Sequence, residues 1–79
     1  MNAKVQQKII DAFEAIHSLN VIHGDIRAEN ILIAEDGQTV WIIDFEFADI
    51  LRNKGDEDVL KAIEMDCVKA LLRELTASN

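Results

Sequence analysis

Apolar residues recur near the start of the chain at spacings of three and four, as Val5, Ile9, Ala12, Phe13 and Ile16. That period puts them on one face of a helix, while Lys4, Lys8, Asp11 and Glu14 fall mainly on the other. The pattern predicts an amphipathic helix over residues 3–19. Asn20 reads as its stop, because Asn tolerates a left-handed backbone better than most residues. Val21-Ile22 is then a short extended piece. In the middle of the chain the period is lost. Residues 31–33 and 40–43 are short runs rich in Ile and Val. Asp36-Gly37 between them signals a hairpin, since Gly takes the positive φ of a tight turn. Trp41 is expected to pack on the hairpin face.

Residues 45–55 show no clean period, and the stretch from Arg52 through Lys54 to Asp56 reads as a polar surface loop. Periodicity returns in a second helix over residues 57–76. Asp56 suits its N-cap, and Glu57 and Asp58 sit at the favourable end of its dipole. Leu60, Ile63, Cys67, Leu71 and Leu75 form a stripe that Val68 and Leu72 widen. The stripe is read as core, Cys67 included, and is too short for a heptad seam. Thr76 to Asn79 read as a fraying tail. The expected class is α+β with little sheet, in the order helix, loop, hairpin, loop, helix. Two strands do not make a stable sheet unaided, so the hairpin must lie on the helices or on something outside them.

Composition narrows the function classes. A chain of 79 residues is one small domain or part of a larger one. No apolar run reaches the ~18 residues that a membrane span needs, and the N-terminus is too polar for a signal peptide. The net charge of −7 argues against a nucleic-acid partner, which would want a basic stripe. It also repels a bare triphosphate, an effect that magnesium would relieve by bridging carboxylates and phosphates. A single cysteine allows no internal disulfide and fits a reducing, cytoplasmic setting.

The chemistry gathers in residues 23–46. This stretch opens with His23-Gly24-Asp25-Ile26-Arg27-Ala28-Glu29-Asn30 and closes with Ile43-Asp44-Phe45-Glu46. Phosphoryl transfer needs a carboxylate beside the attacking hydroxyl, hard oxygen ligands for magnesium, and rigid positioning. Asp25 is placed for the first role, and Asn30 and Asp44 offer oxygens for the second. The hairpin would bring Asn30 and Asp44 to one end of two paired strands.

These residues resemble the protein-kinase-like superfamily. His23 to Asn30 is similar to its catalytic loop, H-R-D-L-x-x-x-N, and Asp44 to Glu46 is similar to its metal motif, D-F-G. The resemblance implies part of a kinase C-terminal lobe, with catalytic loop 23–30, hairpin 31–43 and metal motif 44–46 between the two helices. It implies ATP and Mg²⁺ as cofactors, with Asp25 as catalytic base and Asn30 and Asp44 as metal ligands. Arg27, where the family often has Lys, would reach the transferring phosphate. His23 would support the backbone near Phe45, and Asp66 would anchor the catalytic loop from the last helix. Gly24 departs from the family's Arg, which makes control by activation-loop phosphate doubtful. Glu46 departs from its Gly. H-G-D with I-D-F-E is closer to the aminoglycoside-phosphotransferase and choline-kinase branch and to fungal protein-kinase-like sequences. The three glycines, Gly24, Gly37 and Gly55, form no Gly-rich loop, and no Lys-bearing strand precedes the first helix. The N-terminal lobe is therefore expected to be absent.

Plainer readings stand beside these. Asp25 alone suits local backbone bonding, and Arg27, Glu29, Glu46 and Asp66 suit solvated charges. Glu46 could alternatively help hold the metal shell. His17 reads as a helix-end residue favoured by the dipole. His23 and Asp25 lack the further spaced ligands of a zinc site. Two functions follow. One is phosphoryl transfer from Mg-ATP to a hydroxyl of a protein Ser/Thr or a small alcohol, with the isolated chain inactive. The other is a pseudokinase-like remnant that binds a protein through the apolar surface its lost lobe would cover. A truncated gene product is a third reading.

Overall fold

The computed structural model describes residues 1–53 and 55–77. Helix α1 spans Ala3–Ser18. Asn2 caps it, its side-chain oxygen accepting the Val5 N–H at 2.9 Å. Val5, Ile9, Phe13 and His17, four residues apart, are its buried line. The helix stops as expected: Asn20 takes φ 59° and donates its N–H to the His17 carbonyl at 2.9 Å.

The hairpin forms from β2 (Ile31–Ile33) and β3 (Val40–Ile42), antiparallel, with Leu32 opposite Trp41. Asp36 fixes the connection. Its Oδ1 accepts the N–H groups of Gln38 and Thr39, and its Oδ2 accepts the Thr39 hydroxyl. These three donors hold the Asp36 carboxyl well below its usual range, at about 2, the Thr39 N–H acting most strongly. Gly37 supplies the positive φ of 71°.

A second sheet comes from the stretch without periodicity. β1 (Val21–Ile22) pairs antiparallel with β4 (Asp49–Ile50), and the Leu51 N–H extends the pairing to the Asn20 carbonyl at 2.7 Å. Strands of two residues carry no alternation to read, so Val21-Ile22 was expected only as an extended piece, and β4 and its pairing were not expected.

Helix α2 spans Glu57–Ala77. The described residues thus form a small α+β unit of two helices and two antiparallel sheets. Val5, Ile9 and Phe13 of α1 meet Val68 and Leu72 of α2 in one core, with Ile26, Ile31, Val40 and Ile42 packed against it. The hairpin therefore rests on the helices. Burying a side chain such as Phe13 supplies about 1.5–3 kcal/mol.

Three expectations need correction. The buried line of α2 is Glu64, Val68 and Leu72, whereas Leu60, Ile63 and Cys67 face outward. The helix is rotated from the predicted stripe because Glu64 finds partners inside. Trp41 covers nothing with half of its surface, being 53% exposed. Thr76 and Ala77 belong to α2, and the Thr76 hydroxyl donates to the Leu72 carbonyl at 2.7 Å. Lys54 of the polar loop and Ser78-Asn79 of the tail lie outside the described residues. Among the described residues, no helix is long and apolar enough to cross a membrane.

Candidate active site

The loop between β1 and β2 has little regular structure to order it, so side chains satisfy its backbone. Glu64 reaches in from α2. Its Oε1 accepts the His23 N–H at 2.9 Å and its Oε2 accepts the Gly24 N–H at 2.9 Å. Oε1 also takes the Nε2–H of His17 from α1, at 2.8 Å. Burial pushes the Glu64 carboxyl up. The donors from His23, Gly24 and His17 outweigh it, and the group ends below its ordinary value. One carboxylate therefore joins both helices to the loop.

His23 continues the chain of contacts. It is fully buried. Its Nδ1 accepts the Asp25 N–H at 3.2 Å, which places the ring proton on Nε2, and Nε2 donates to the Ile43 carbonyl at 2.7 Å. Its ring meets the edge of Phe45 at a centroid distance of 4.7 Å. The loop is thus tied to the stretch that carries Asp44.

Asn30 ends a short 3₁₀ turn, Ala28–Asn30, and is buried. Its Nδ2 donates to the Asp25 carbonyl at 2.9 Å and to Asp25 Oδ2 at 3.1 Å. The other carboxylate oxygen, Oδ1, accepts the Arg27 Nε–H at 2.8 Å. Both oxygens of Asp25 are thereby oriented by side-chain donors. The Nη groups of Arg27, itself 60% exposed at the side chain, remain available to an anion. The Asn30 carbonyl accepts the Ile43 N–H at 2.9 Å, one rung beyond the hairpin. Asp44 follows directly, exposed and at φ 61°, a left-handed conformation that re-aims its side chain. Its Oδ1 accepts the distant Glu46 N–H, at 3.4 Å.

Of the residues singled out by sequence, Asp25, Arg27 and Asn30 are in direct contact. His23 and Phe45 pack on each other, and backbone bonds join Asn30 to the residue before Asp44. Asp66 is exposed on α2, and among the described residues no hydrogen bond takes it to the loop. The anchoring carboxylate is Glu64, two residues earlier. Sequence reasoning missed Glu64 and also His17, which is a buried link and not merely a helix end. A signal existed. His17 continues the line Val5, Ile9, Phe13, and Glu64 precedes Val68 and Leu72 at the same spacing. A polar residue on each of two facing apolar lines points to a buried pair.

Comparison with known proteins settles the family. Residues 2–68 match the sequence pattern of the protein kinase domain. The chain belongs to the protein kinase domain family. This kinase-family chain is 38% identical over 52 residues to a Fowlpox virus protein named as a probable serine/threonine-protein kinase, covering 66% of itself and 17% of that protein. It is 43% identical over 47 residues to cAMP-dependent protein kinase catalytic subunit 3 of Drosophila melanogaster, covering 60% of itself and 8% of the relative. It is 47% identical over 38 residues to 3-phosphoinositide-dependent protein kinase 1 of Arabidopsis thaliana, covering 48% and 8%. The chain thus spans less than a fifth of these kinases. No solved structure gives a significant match.

Proposed function

We propose that the chain is the catalytic-loop and metal-motif core of a protein kinase, serving transfer of the ATP γ-phosphoryl group to a protein Ser/Thr hydroxyl. The supporting observation is the position of Asn30. Its amide nitrogen is committed to Asp25, which leaves its Oδ1 as a hard acceptor, and its backbone is bonded to the strand that delivers Asp44. An amide oxygen and an exposed carboxylate fit magnesium, which takes few protein ligands and keeps water and phosphate oxygens for the rest. When bound, magnesium would offset the phosphate charge that this acidic chain otherwise repels.

Within this reading Asp25 accepts the proton of the attacking hydroxyl as its oxygen bonds to the γ-phosphorus and the bond to the leaving diphosphate breaks. Asn30 and Arg27 hold that carboxylate in place, and the exposed guanidinium of Arg27 supplies positive charge for the transferring phosphoryl group. His23 and Glu64 keep the loop rigid. The serine/threonine names of the relatives favour a protein acceptor over a small alcohol. Without a Gly-rich loop or its Lys, the isolated chain turns over negligibly.

A second reading rests on one observation. Leu32, Ile33, Trp41, Ile43, Phe45 and Phe47 are all exposed. Leu32 and Trp41 lie opposite each other on one face of the hairpin, and exposed apolar side chains of this kind suit a non-catalytic module that docks a protein. Thermal-shift titration with millimolar ATP and magnesium separates the two. The kinase reading expects a stabilising shift that requires magnesium and disappears in Asp44→Asn. Absence of any shift in the wild type would leave the docking module.

A further inference from the structure

Gly24 stands where the family motif carries Arg. Its φ is +87°, and a Cβ placed there would lie 2.3 Å from the Phe47 carbonyl oxygen and 2.9 Å from its carbon. Those atoms are backbone, so they cannot swing aside as the tip of a flexible side chain can. The loop is gripped from two sides at this residue, since Glu64 Oε2 holds its N–H. The Phe47 segment is itself shaped by a turn, with the Ala48 N–H donating to the Phe45 carbonyl at 3.0 Å. Immediately afterwards β4 pairs with β1, just before His23.

A second, independent observation comes from the sequence. No Ser, Thr or Tyr lies between Thr39 and Thr76. In kinases switched by phosphorylation, new phosphate–Arg pairs order the activation loop. Here the stretch after the metal motif offers no hydroxyl to phosphorylate until Thr76, and the family's Arg is replaced by a residue with no side chain.

We infer that Gly24 is a positioning residue: the space left by its missing side chain seats the Phe47 backbone on the catalytic loop, holding the metal-motif segment in register with Asp25 by direct contact and without phosphorylation. The consequence for catalysis rests on the kinase reading above; the seating does not.

The test uses the 79-residue chain, shown by intact mass to carry no phosphate. In the wild type, nuclear Overhauser contacts should join the Gly24 α-protons to the Ala48 amide; their absence overturns the seat whether or not any variant folds. Gly24→Ala should displace the amide resonances of Phe47, Ala48 and Asp49. Gly37→Ala is the control, because Gly37 also has positive φ, 71°, but nothing lies within 4 Å of its added Cβ. It should leave those resonances in place. Unmoved resonances in Gly24→Ala, or equal movement in Gly37→Ala, refute the seating. Manganese with ATP then reads the functional consequence through paramagnetic broadening at Asn30 and Asp44. Gly24→Ala should need at least about tenfold more manganese, since small misplacements are costly at such sites. Broadening identical to wild type refutes the positioning role. No broadening in the wild type refutes the kinase reading, and the amide shifts still decide the seat.

Discussion

Replacing Glu64 should damage the loop and the helix packing together. In Glu64→Ala three donors lose their acceptor: the buried N–H of His23 and Nε2–H of His17, and the partly buried N–H of Gly24. Each orphaned donor costs about 1–3 kcal/mol. Water entering beside Gly24, which is exposed, offsets part of the sum. The expected loss is about 3–6 kcal/mol. Against a total of about 4–12 kcal/mol for a chain of this size, that approaches unfolding. Glu64→Gln keeps one carbonyl oxygen, enough for His23 and His17, but sets an amide N–H₂ against the Gly24 N–H. It should lose about 1.5–3 kcal/mol. Acid adds an independent check. The folded carboxyl lies below its free value of 4.5, so the unfolded state binds the proton more readily. The stabilisation is therefore fully present above pH 4.5 and lost as pH falls from there through the folded value. Urea unfolding followed by far-ultraviolet circular dichroism measures all of this. The gap between wild type and Glu64→Gln should narrow as the pH drops below 4.5. A Glu64→Gln stability within about 0.5 kcal/mol of wild type at neutral pH would refute the reasoning.

Phe13→Ala, at the centre of the core, should cost about 3–5 kcal/mol in the same assay; a loss under about 1 kcal/mol would mean the core is not packed as described. Asp36→Asn should flatten the remaining acid dependence between pH 3.8 and about 2, where the folded Asp36 still holds its charge. Unchanged acid unfolding would show that its three donors do not matter. In any longer kinase preparation that contains this chain and transfers phosphate, Asp25→Asn should lower the rate by about 10²–10⁴. A rate within a factor of about two would remove Asp25 as the base. Arg27→Ala removes an ion pair whose arginine side is exposed, so stability should change by less than about 0.5 kcal/mol while the ATP–magnesium shift weakens. An unchanged shift would leave Arg27 a solvated charge.

Both helices, the left-handed Asn20 and the hairpin were legible because each has a local cause. Helical period, a tolerated positive φ and the Asp-Gly turn act over a few residues. The contact between Asp25 and Asn30 was legible from their spacing, which lets the amide reach the carboxylate. The pairing of β1 with β4 was not legible, because its register depends on residues nearly thirty positions apart in sequence. Glu64 was missed for a related reason. Leu60, Ile63 and Cys67 look like better core residues than a glutamate. Hydrophobicity alone assigns the helix the wrong rotation, and the donors of His17, His23 and Gly24 reverse the choice. Asp66 was expected as the anchor only because the family resemblance implies an Asp on this helix, and the carboxylate that reaches the loop stands two residues earlier.

The same bonds explain how the loop is ordered. Three successive N–H groups, at His23, Gly24 and Asp25, are satisfied by side chains and by no strand or helix. Glu64 serves two and His23 serves the third. Each of those side chains is in turn fixed elsewhere, Glu64 by His17 and His23 by the Ile43 carbonyl. The loop is therefore positioned from α1, from α2 and from the strand leading to Asp44 at once. A rotation of α2 would move the two N–H groups it holds, and through His23 it would shift Asp25 relative to Asp44. Stability and site geometry draw on the same few atoms, so changes at Glu64 or His23 should never separate them. Arg27, which among the described residues is paired with Asp25, is where they come apart.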